Sequence, residues 1–452
     1  MYNSNLIYCD NELELLLKQL AKETIKQKNN TIKKGLKCKI VFYDYFVLEN
    51  RGLTEQYLSA LFKNKNYEVM FIGCNTDTSS IYTKLKEHKI SYEIISEKDE
   101  IKRAQYIYDI ISKIQPDILI AHISPWDVEG LMATSMVENK CKKFLINITD
   151  HAFWLGTTIF DYFFEFRDYG YNISKSYRNI DELKLLKLPF YPIINSNFDF
   201  QGFDFKIDGR KVIFSGGNVY KIQGSPVFLE LVKYILIKHP ETIFLYLGAS
   251  NSQYLDTFIT KNNFQNRFYY RAERKDIFEV FKNCYFYLNT YPLSGGLMTQ
   301  YACVAGKLPL TFRDSDNPES DIGELFITKP DFDIQFSDLH TLMEKIDFYL
   351  DNPKELQKNE QKIKEVVIKE NRFDELFYNY LDNSKNILPV NIYNIDLKKF
   401  AKQYLERFNE DKNSYYIQFV SRDLRTLPYF LKYYIFYAFL RIRNKIKLKI
   451  NN

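Results

Sequence analysis

The sequence predicts an α/β protein of two domains, each a parallel sheet with helices on both faces. Three observations lead there. Short apolar runs rich in β-branched and aromatic residues alternate with stretches of helical spacing. The alternation breaks at a polar, proline-containing segment and then restarts. The chain has 452 residues, enough for two or three domains of roughly 100–200 residues each.

Residues 1–36 are polar and Lys-rich, with a helical stretch near Glu12–Glu23. Strands are expected at 39–46 (KIVFYDYF), 68–74, 91–96, 116–122 and 142–149, and helices at 53–65, 78–88, 100–114 and 127–139. Strands apolar on both faces suit a parallel sheet buried between helix layers. In 188–208 (LPFYPIINSNFDFQGFDFKID) two prolines and several Asn and Asp mark a linker. Beyond it, KVIFSGG (211–217) is a strand running into a glycine turn. Ser225-Pro226 opens a helix, Ser as N-cap and Pro at the first helical position, and that helix should stop before Pro240. Strands at 242–250, 267–271, 284–290 and 308–312 continue the second sheet, and after about 385 the pattern is helical and then strongly basic. The expected organisation is an N-terminal helical extension (1–36), a first Rossmann-like domain (37–195), a second (196–385), and C-terminal helices with a basic tail (386–452). Two such domains enclose a cleft between the carboxyl ends of their sheets, the edge where open α/β sheets bind ligands.

Composition excludes several classes. Hydrophobic residues at 46% and charged ones at 26% describe a soluble globular chain rather than a disordered one. Lys and Arg number 62 against 57 Asp and Glu, a net +5 that lacks the dense basic face of a nucleic-acid binder. The 36 Tyr and 37 Phe accompany an excess of Lys, Asn and Ile, the mark of an AT-rich genome, so they are weak support for aromatic platforms. Six cysteines lie far apart with no CxxC pair, which reads as a reducing compartment without disulfides or a zinc knuckle. The amino-terminal MYNSNLIYCDNELELL lacks the basic and apolar regions of a signal peptide, and no apolar run reaches the length of about 18 residues that a membrane span needs. A cytoplasmic protein is expected.

Asn289–Thr299 (NTYPLSGGLMT) follows a strand and opens the helix MTQYACVAG. Successive backbone N–H groups at a glycine turn opening a helix make an anion site, reinforced by the helix dipole, and a diphosphate is its common occupant. Ser294, Gly295, Gly296 and Thr299 are the candidates there. Gly216, Gly217, Asn218 and Lys221 form a second constellation. Its glycines allow close backbone approach, and Lys221 would offset diphosphate charge as a sugar–phosphate bond breaks. Arg274 is a further phosphate candidate, set against its place in an ERKD charge run. Of five histidines, His88, His239 and His340 read as surface. His151, just after a strand in DHAFWLG, can take a proton from an acceptor hydroxyl with Asp150 orienting it, or hydrogen-bond the donor without moving a proton. His122 ends the strand PDILIAH at the cleft edge, on the acceptor side. Asp314-Ser315-Asp316 has the spacing of a metal-binding DxD, a spacing that chance supplies in an Asp-rich loop, and no metal is expected.

The stretch NTYPLSGGLMTQYACVAGKLPL resembles the nucleotide-sugar site of GT-B glycosyltransferases. It looks most like the group of O-linked N-acetylglucosamine transferases and bacterial cytosolic N-glycosyltransferases, with their strand, Thr-x-Pro-x-x-Gly stretch, polar turn and helix ending Ala-Gly-x-Pro. VIFSGGNVYKIQGSP is similar to the first strand and glycine loop of that nucleotide domain. INITDHAFWLGTTIFDYFFEFRDYG is similar to the group's loop–Gly–Thr-Thr–Asp-Tyr segment, and LLKLPFYP to the stretch after it. The resemblance covers about 140–312. It implies a GT-B fold, a nucleoside-diphosphate sugar as donor, no cofactor, no metal, and inverting hexosyl transfer. It also implies acceptor contacts after the first strand, near Asp44, where Asn50 and Arg51 are candidates and Glu49 is an alternative base. One position departs. Many GT-B enzymes bind the nucleotide ribose through a carboxylate five residues before the helix-ending glycine, and here Tyr301 stands five before Gly306. Gln300, beside it, can exchange hydrogen bonds with a ribose hydroxyl.

The expected task is bacterial surface polysaccharide synthesis on a glycan or lipid-linked acceptor. Protein glycosylation is the alternative, and a non-catalytic GT-B subunit binding a partner enzyme or glycan is the reading of another class that Tyr301 keeps open. The same fold serves sugar-nucleotide epimerases. At the carboxyl end, the aromatic run 429–440 abuts Arg441, Arg443, Lys445, Lys447 and Lys449. Such a segment (429–450) can lie on the anionic inner face of a membrane; it can equally be a closing helix with a solvated tail.

Overall fold

Two parallel sheets organise the chain. The structure, a computed structural model, describes residues 7–27, 37–47, 54–74, 79–138, 140–194, 198–315, 317 and 320–397. Helix α1 (Asn11–Thr24) precedes the first sheet, whose seven strands are β1 (Cys38–Asp44), β2 (Tyr67–Gly73), β3 (Ser91–Ile94), β4 (Ile118–His122), β5 (Lys142–Asn147), β6 (Tyr162–Glu165) and β7 (Leu185–Lys187). They lie in the order β3-β2-β1-β4-β5-β6-β7. Helices α2 (Thr54–Lys63), α3 (Ser80–Glu87), α4 (Glu100–Ile114), α5 (Val128–Ser135) and α6 (Asp168–Tyr177) connect them. The alternation of side chains along β1 shows why both faces must be apolar. Val41 and Tyr43 enter one core layer, with α4 and α5, while Ile40 and Phe42 enter the other, with α2 and α3.

The second sheet has the order β10-β9-β8-β11-β12-β13. Its strands are β8 (Lys211–Gly216), β9 (Thr242–Leu247), β10 (Phe268–Arg271), β11 (Phe286–Leu288), β12 (Pro309–Phe312) and β13 (Gln335–Phe336). Its helices are α7 (Val227–Lys238), α8 (Gln253–Asn262), α9 (Ile277–Asn283), α10 (Gly296–Ala305), α11 (Leu339–Asp351) and α12 (Pro353–Ile363). The helix expected after Ser225-Pro226 is present but starts one residue later than read: Pro226 is at the cap position, without a side-chain cap, and the Ser225 hydroxyl before it accepts the Val227 N–H at 3.4 Å. A last helix, α13 (Glu370–Asn383), returns to the first sheet: Phe373 and Phe377 meet the Tyr57 ring edge-on at 5.2 and 5.1 Å. By packing it belongs with α2, although it lies in sequence beyond the second sheet.

The strands read from the sequence are present to within a few residues. β6, α6 and β7 are additional to them, so the first sheet runs to the threshold of the linker. The linker is bound from both sides. Gln300 and Tyr301 of α10 donate to the carbonyls of Phe190 and Ile193 at 2.7 and 2.6 Å, and Gln56 of α2 donates to that of Tyr191 at 2.8 Å. The linker's later half lies on the second sheet, where Phe205 stacks on Tyr269 with centroids 4.2 Å apart. Glu49, Asn50 and Arg51, Asp316, and the helices and basic tail expected beyond 397 lie outside the described residues. No helix among the described residues is long and apolar enough to cross a membrane.

Candidate functional site

The strand order of the second sheet reverses between β8 and β11, and the two glycine-bearing motifs are the loops that leave those strands. A topological switch point is where a crevice opens in such a sheet. Asn289, at the end of β11, shapes one wall. Its side-chain oxygen accepts the N–H of Thr290 at 2.9 Å, the N–H of Gly295 at 3.0 Å and the Tyr287 hydroxyl at 3.3 Å. The turn is thereby closed just ahead of α10. That helix begins at Gly296 with no side-chain cap, so the first N–H groups of its opening turn have no intrahelical acceptor.

The loop after β8 meets this turn. The backbone oxygen of Lys221 accepts the Leu293 N–H at 3.2 Å, and its ammonium donates to the Ser294 carbonyl at 3.2 Å. An ammonium and an uncapped helix start, two positive features, thus lie on one side of the crevice. Glycine is required behind them. Gly217 has φ 141° and Gly248, after β9, has φ 102°. A Cβ on Gly248 would stand 2.6 Å from the Gly217 carbonyl oxygen. The two loops therefore pack backbone on backbone. The Asn218 side chain accepts the Tyr220 N–H at 3.4 Å and starts the short turn that carries Lys221.

Two candidates on this side, Gln300 and Arg274, are placed otherwise than expected, and Tyr301 lies with Gln300. Gln300 is fully buried: its amide nitrogen is spent on the Phe190 carbonyl, while its Oε1 is buried without a hydrogen-bond partner. Tyr301, where a ribose-binding carboxylate was expected, is likewise turned to the linker. Arg274 makes a bidentate pair with Asp276, at 2.8 and 2.5 Å, and donates to the Gly202 carbonyl at 2.7 Å, so its guanidinium fastens the linker to the start of α9. The Thr299 side chain is buried in the first turns of α10. Asp314 accepts from the Tyr291 hydroxyl at 3.3 Å. Among the described residues no group of three or more His, Cys, Asp or Glu is placed to hold a metal ion.

On the first domain, Asp150 and His151 follow β5. Arg167, after β6, holds the Asp150 carboxylate with two bonds, at 2.6 and 3.0 Å. Burial opposes the charge on Asp150, but Arg167 and His151 outweigh it and keep the carboxyl well below its ordinary range. The His151 ring lies with Nδ1 3.4 Å from Asp150 Oδ1 and keeps 28% of its side chain exposed. It is thus the accessible member of a fixed Arg–Asp–His group. His122 has no exposed surface. Its Nδ1 faces Asp44 at 3.0 Å and Thr54 at 3.1 Å, and it joins β1 to β4 from inside rather than lining an acceptor surface.

Several residues escape a reading of the sequence. Arg167 stands in EFRDYG, where nothing nearby in the chain gives the arginine a role. Arg178, fully buried, donates to the carbonyls of Asp150 and Ala152 at 2.9 and 2.7 Å, on either side of His151. Glu324, in the short turn Gly323–Leu325 after β12, reaches the first domain and accepts the Tyr169 N–H at 2.8 Å. The loop after β6 in one sheet and the segment after β12 in the other therefore meet beside the Arg167–Asp150–His151 group.

Two Rossmann-like domains with a glycine-lined crevice at the switch point of the second make this a GT-B fold. Solved structures of that fold match it broadly. HepE from Anabaena, in complex with UDP, is 10% identical with a TM-score of 0.58, over 76% of this chain and all of that one. A mutant of the Thermobaculum terrenum O-GlcNAc transferase is 12% identical with a TM-score of 0.54, over 87% of this chain and 74% of that one. A putative UDP-N-acetylglucosamine 2-epimerase from Listeria monocytogenes is 11% identical with a TM-score of 0.55, over 77% and 96%. No protein-family model and no curated protein sequence matches the chain.

Proposed function

We propose that the chain is a glycosyltransferase that moves a hexosyl unit from a nucleoside-diphosphate sugar to an acceptor hydroxyl without a metal. The observation that carries this reading is the meeting of the Lys221 ammonium with the turn at the uncapped start of α10, at the switch point of the second sheet. An anion is the ligand such a place suits, and a diphosphate spans the two loops. Lys221 would offset the charge released onto the leaving diphosphate, the electrostatic task a metal performs elsewhere. His151, accessible and backed by Asp150, would take the proton of the acceptor hydroxyl. The acceptor we favour is a glycan or lipid-linked sugar of a bacterial surface polysaccharide, with polypeptide as the alternative. Neither Gln300 nor Tyr301 is turned to a ribose, so the base and sugar would be chosen by other contacts.

The test is a thermal-shift screen with nucleoside diphosphates and their sugars, followed by an assay of diphosphate release. A ligand that binds only the native state raises its melting temperature by mass action. His151→Asn should leave diphosphate affinity intact and lower turnover by about 100-fold or more. No stabilisation by any nucleoside diphosphate would overturn the transferase reading in favour of a non-catalytic subunit.

A further inference from the structure

The helix ahead of the first sheet carries a carboxylate in the face it buries, beside Leu17 and Ala21. α1 exposes Leu13, Leu15, Leu16 and Leu20 and buries Glu14. A buried carboxylate is unfavourable unless fully hydrogen-bonded, and a well-packed apolar residue would serve stability as well. Here it is fully bonded, and to one short stretch. Glu14 Oε1 accepts the N–H groups of Gly156 and Thr157 at 2.8 Å each and the Thr157 hydroxyl at 2.9 Å. Its Oε2 accepts the Thr158 N–H at 2.9 Å and hydroxyl at 2.5 Å. One turn along, the Lys18 ammonium donates to the Thr158 carbonyl and hydroxyl at 2.9 and 2.7 Å.

Those residues end the loop that begins at Asp150. Its other end is held by Arg178, which grips the carbonyls of Asp150 and Ala152 while its guanidinium lies 4.5 Å from the Trp154 ring centroid and 5.2 Å from that of Tyr8. The Trp154 backbone N–H donates to the Tyr8 carbonyl at 3.4 Å. Gly156, with φ 129°, lets the backbone turn between the two grips. His151 is a partly exposed side chain on a backbone pinned at both ends.

We infer that Glu14 is a positioning residue for His151: through Gly156, Thr157 and Thr158 it holds taut the loop whose other end Arg178 fixes. The inference rests on the reading that His151 acts at the transferred sugar or the acceptor, where placement within a fraction of an ångström decides the rate. Glu14→Gln puts an amide N–H against these donors and should loosen the loop.

The experiment needs no substrate. Hydrogen exchange of the full chain is compared between the wild type and Glu14→Gln, and His151 is followed by NMR of labelled histidine rings, assigned with His151→Asn. Exchange over 150–158 should rise by about tenfold or more while the second sheet holds. The His151 ring resonance should move while those of the other four histidines stay. Unchanged exchange in 150–158, a rise spread evenly over the first domain, or a static His151 resonance would overturn the proposal. If Glu14→Gln does not fold, Thr158→Val removes a single hydroxyl donor and should show the same local pattern on a smaller scale. Binding of UDP, GDP, ADP and CDP by the wild type is measured alongside. If none of the four binds while the loop responds, the functional reading falls and the positioning stands; if one binds and the loop does not respond, the reverse holds.

Discussion

Glu324 of the second domain caps a helix of the first: its carboxylate accepts the N–H of Tyr169, in the opening turn of α6, at 2.8 Å. The residue at the cap position of that helix, Arg167, makes no side-chain cap bond. The other oxygen of Glu324 takes the Tyr393 hydroxyl at 2.5 Å. Burial pushes the Glu324 carboxyl from its ordinary 4.5 up to about 7, although Tyr393 and Arg167 draw it down. Because the folded value lies above the unfolded one, the stability Glu324 contributes is fully present below about pH 4.5 and lost as pH rises through about 7. Across that window the wild type should lose on the order of 2–3 kcal/mol more than Glu324→Gln, in urea titrations at stepped pH. Parallel curves for the two proteins would show that Glu324 keeps an ordinary affinity for its proton.

If the Lys221 ammonium faces phosphate as proposed, Lys221→Ala should weaken binding of the nucleoside diphosphate that the screen selects by about tenfold or more, and binding of the matching nucleoside by less than about twofold. Calorimetry with the two ligands measures this. Equal losses would place the diphosphate away from Ser294.

Gly248→Ala should cost about 2–4 kcal/mol and abolish UDP binding, since both its positive φ and the carbonyl 2.6 Å from the new Cβ are backbone constraints. Gly202 is the control: its φ is 78°, but nothing lies within 4 Å of an added Cβ, so Gly202→Ala should cost only about 1 kcal/mol. Similar unfolding midpoints for the two variants would contradict the close packing of the β8 and β9 loops.

Tyr301→Phe removes the donor to the Ile193 carbonyl and should cost about 1 kcal/mol. UDP affinity should not change, because the hydroxyl faces the linker. A clear drop in affinity would return Tyr301 to the ribose.

The basic tail is open to a test of its own. Deleting 441–452 should abolish sedimentation with anionic vesicles, and salt should weaken that of the full chain. Full-length protein that ignores such vesicles at low salt would leave the lipid-linked acceptor without this support.

The sheets were legible because strands such as 39–46 and 242–250 are apolar on both faces and bounded by polar turns. β7 was not: three residues, Leu185–Lys187, carry too little pattern to be read, and they are a strand only because β6 offers a partner edge. The glycine turns after β8 and β11 were legible for a local reason, since a glycine turn between a strand and a helix is written in adjacent residues. The Gln300 partner, Phe190, lies 110 residues away; Arg274 is held chiefly by Asp276, two residues on in the same charge run, and only its bond to Gly202, 72 residues away, is hidden from the sequence. Glu14 and Glu324 were missed for the same cause, as each serves a loop more than a hundred residues distant.

The bonds to the linker alternate in ownership. The carbonyl of Phe190 answers to α10, that of Tyr191 to α2, and that of Ile193 to α10 again. The Tyr191 hydroxyl also donates to Glu370 at 3.3 Å, on the helix that packs with α2. Prolines at 189 and 192 fix two of the intervening φ angles. A hinge needs consecutive residues free to turn together, and here neighbours are claimed by opposite sides. Along 190–193 the connection is a splice rather than a hinge: neighbouring carbonyls there are tied to opposite sheets, so that stretch cannot turn without breaking bonds to both.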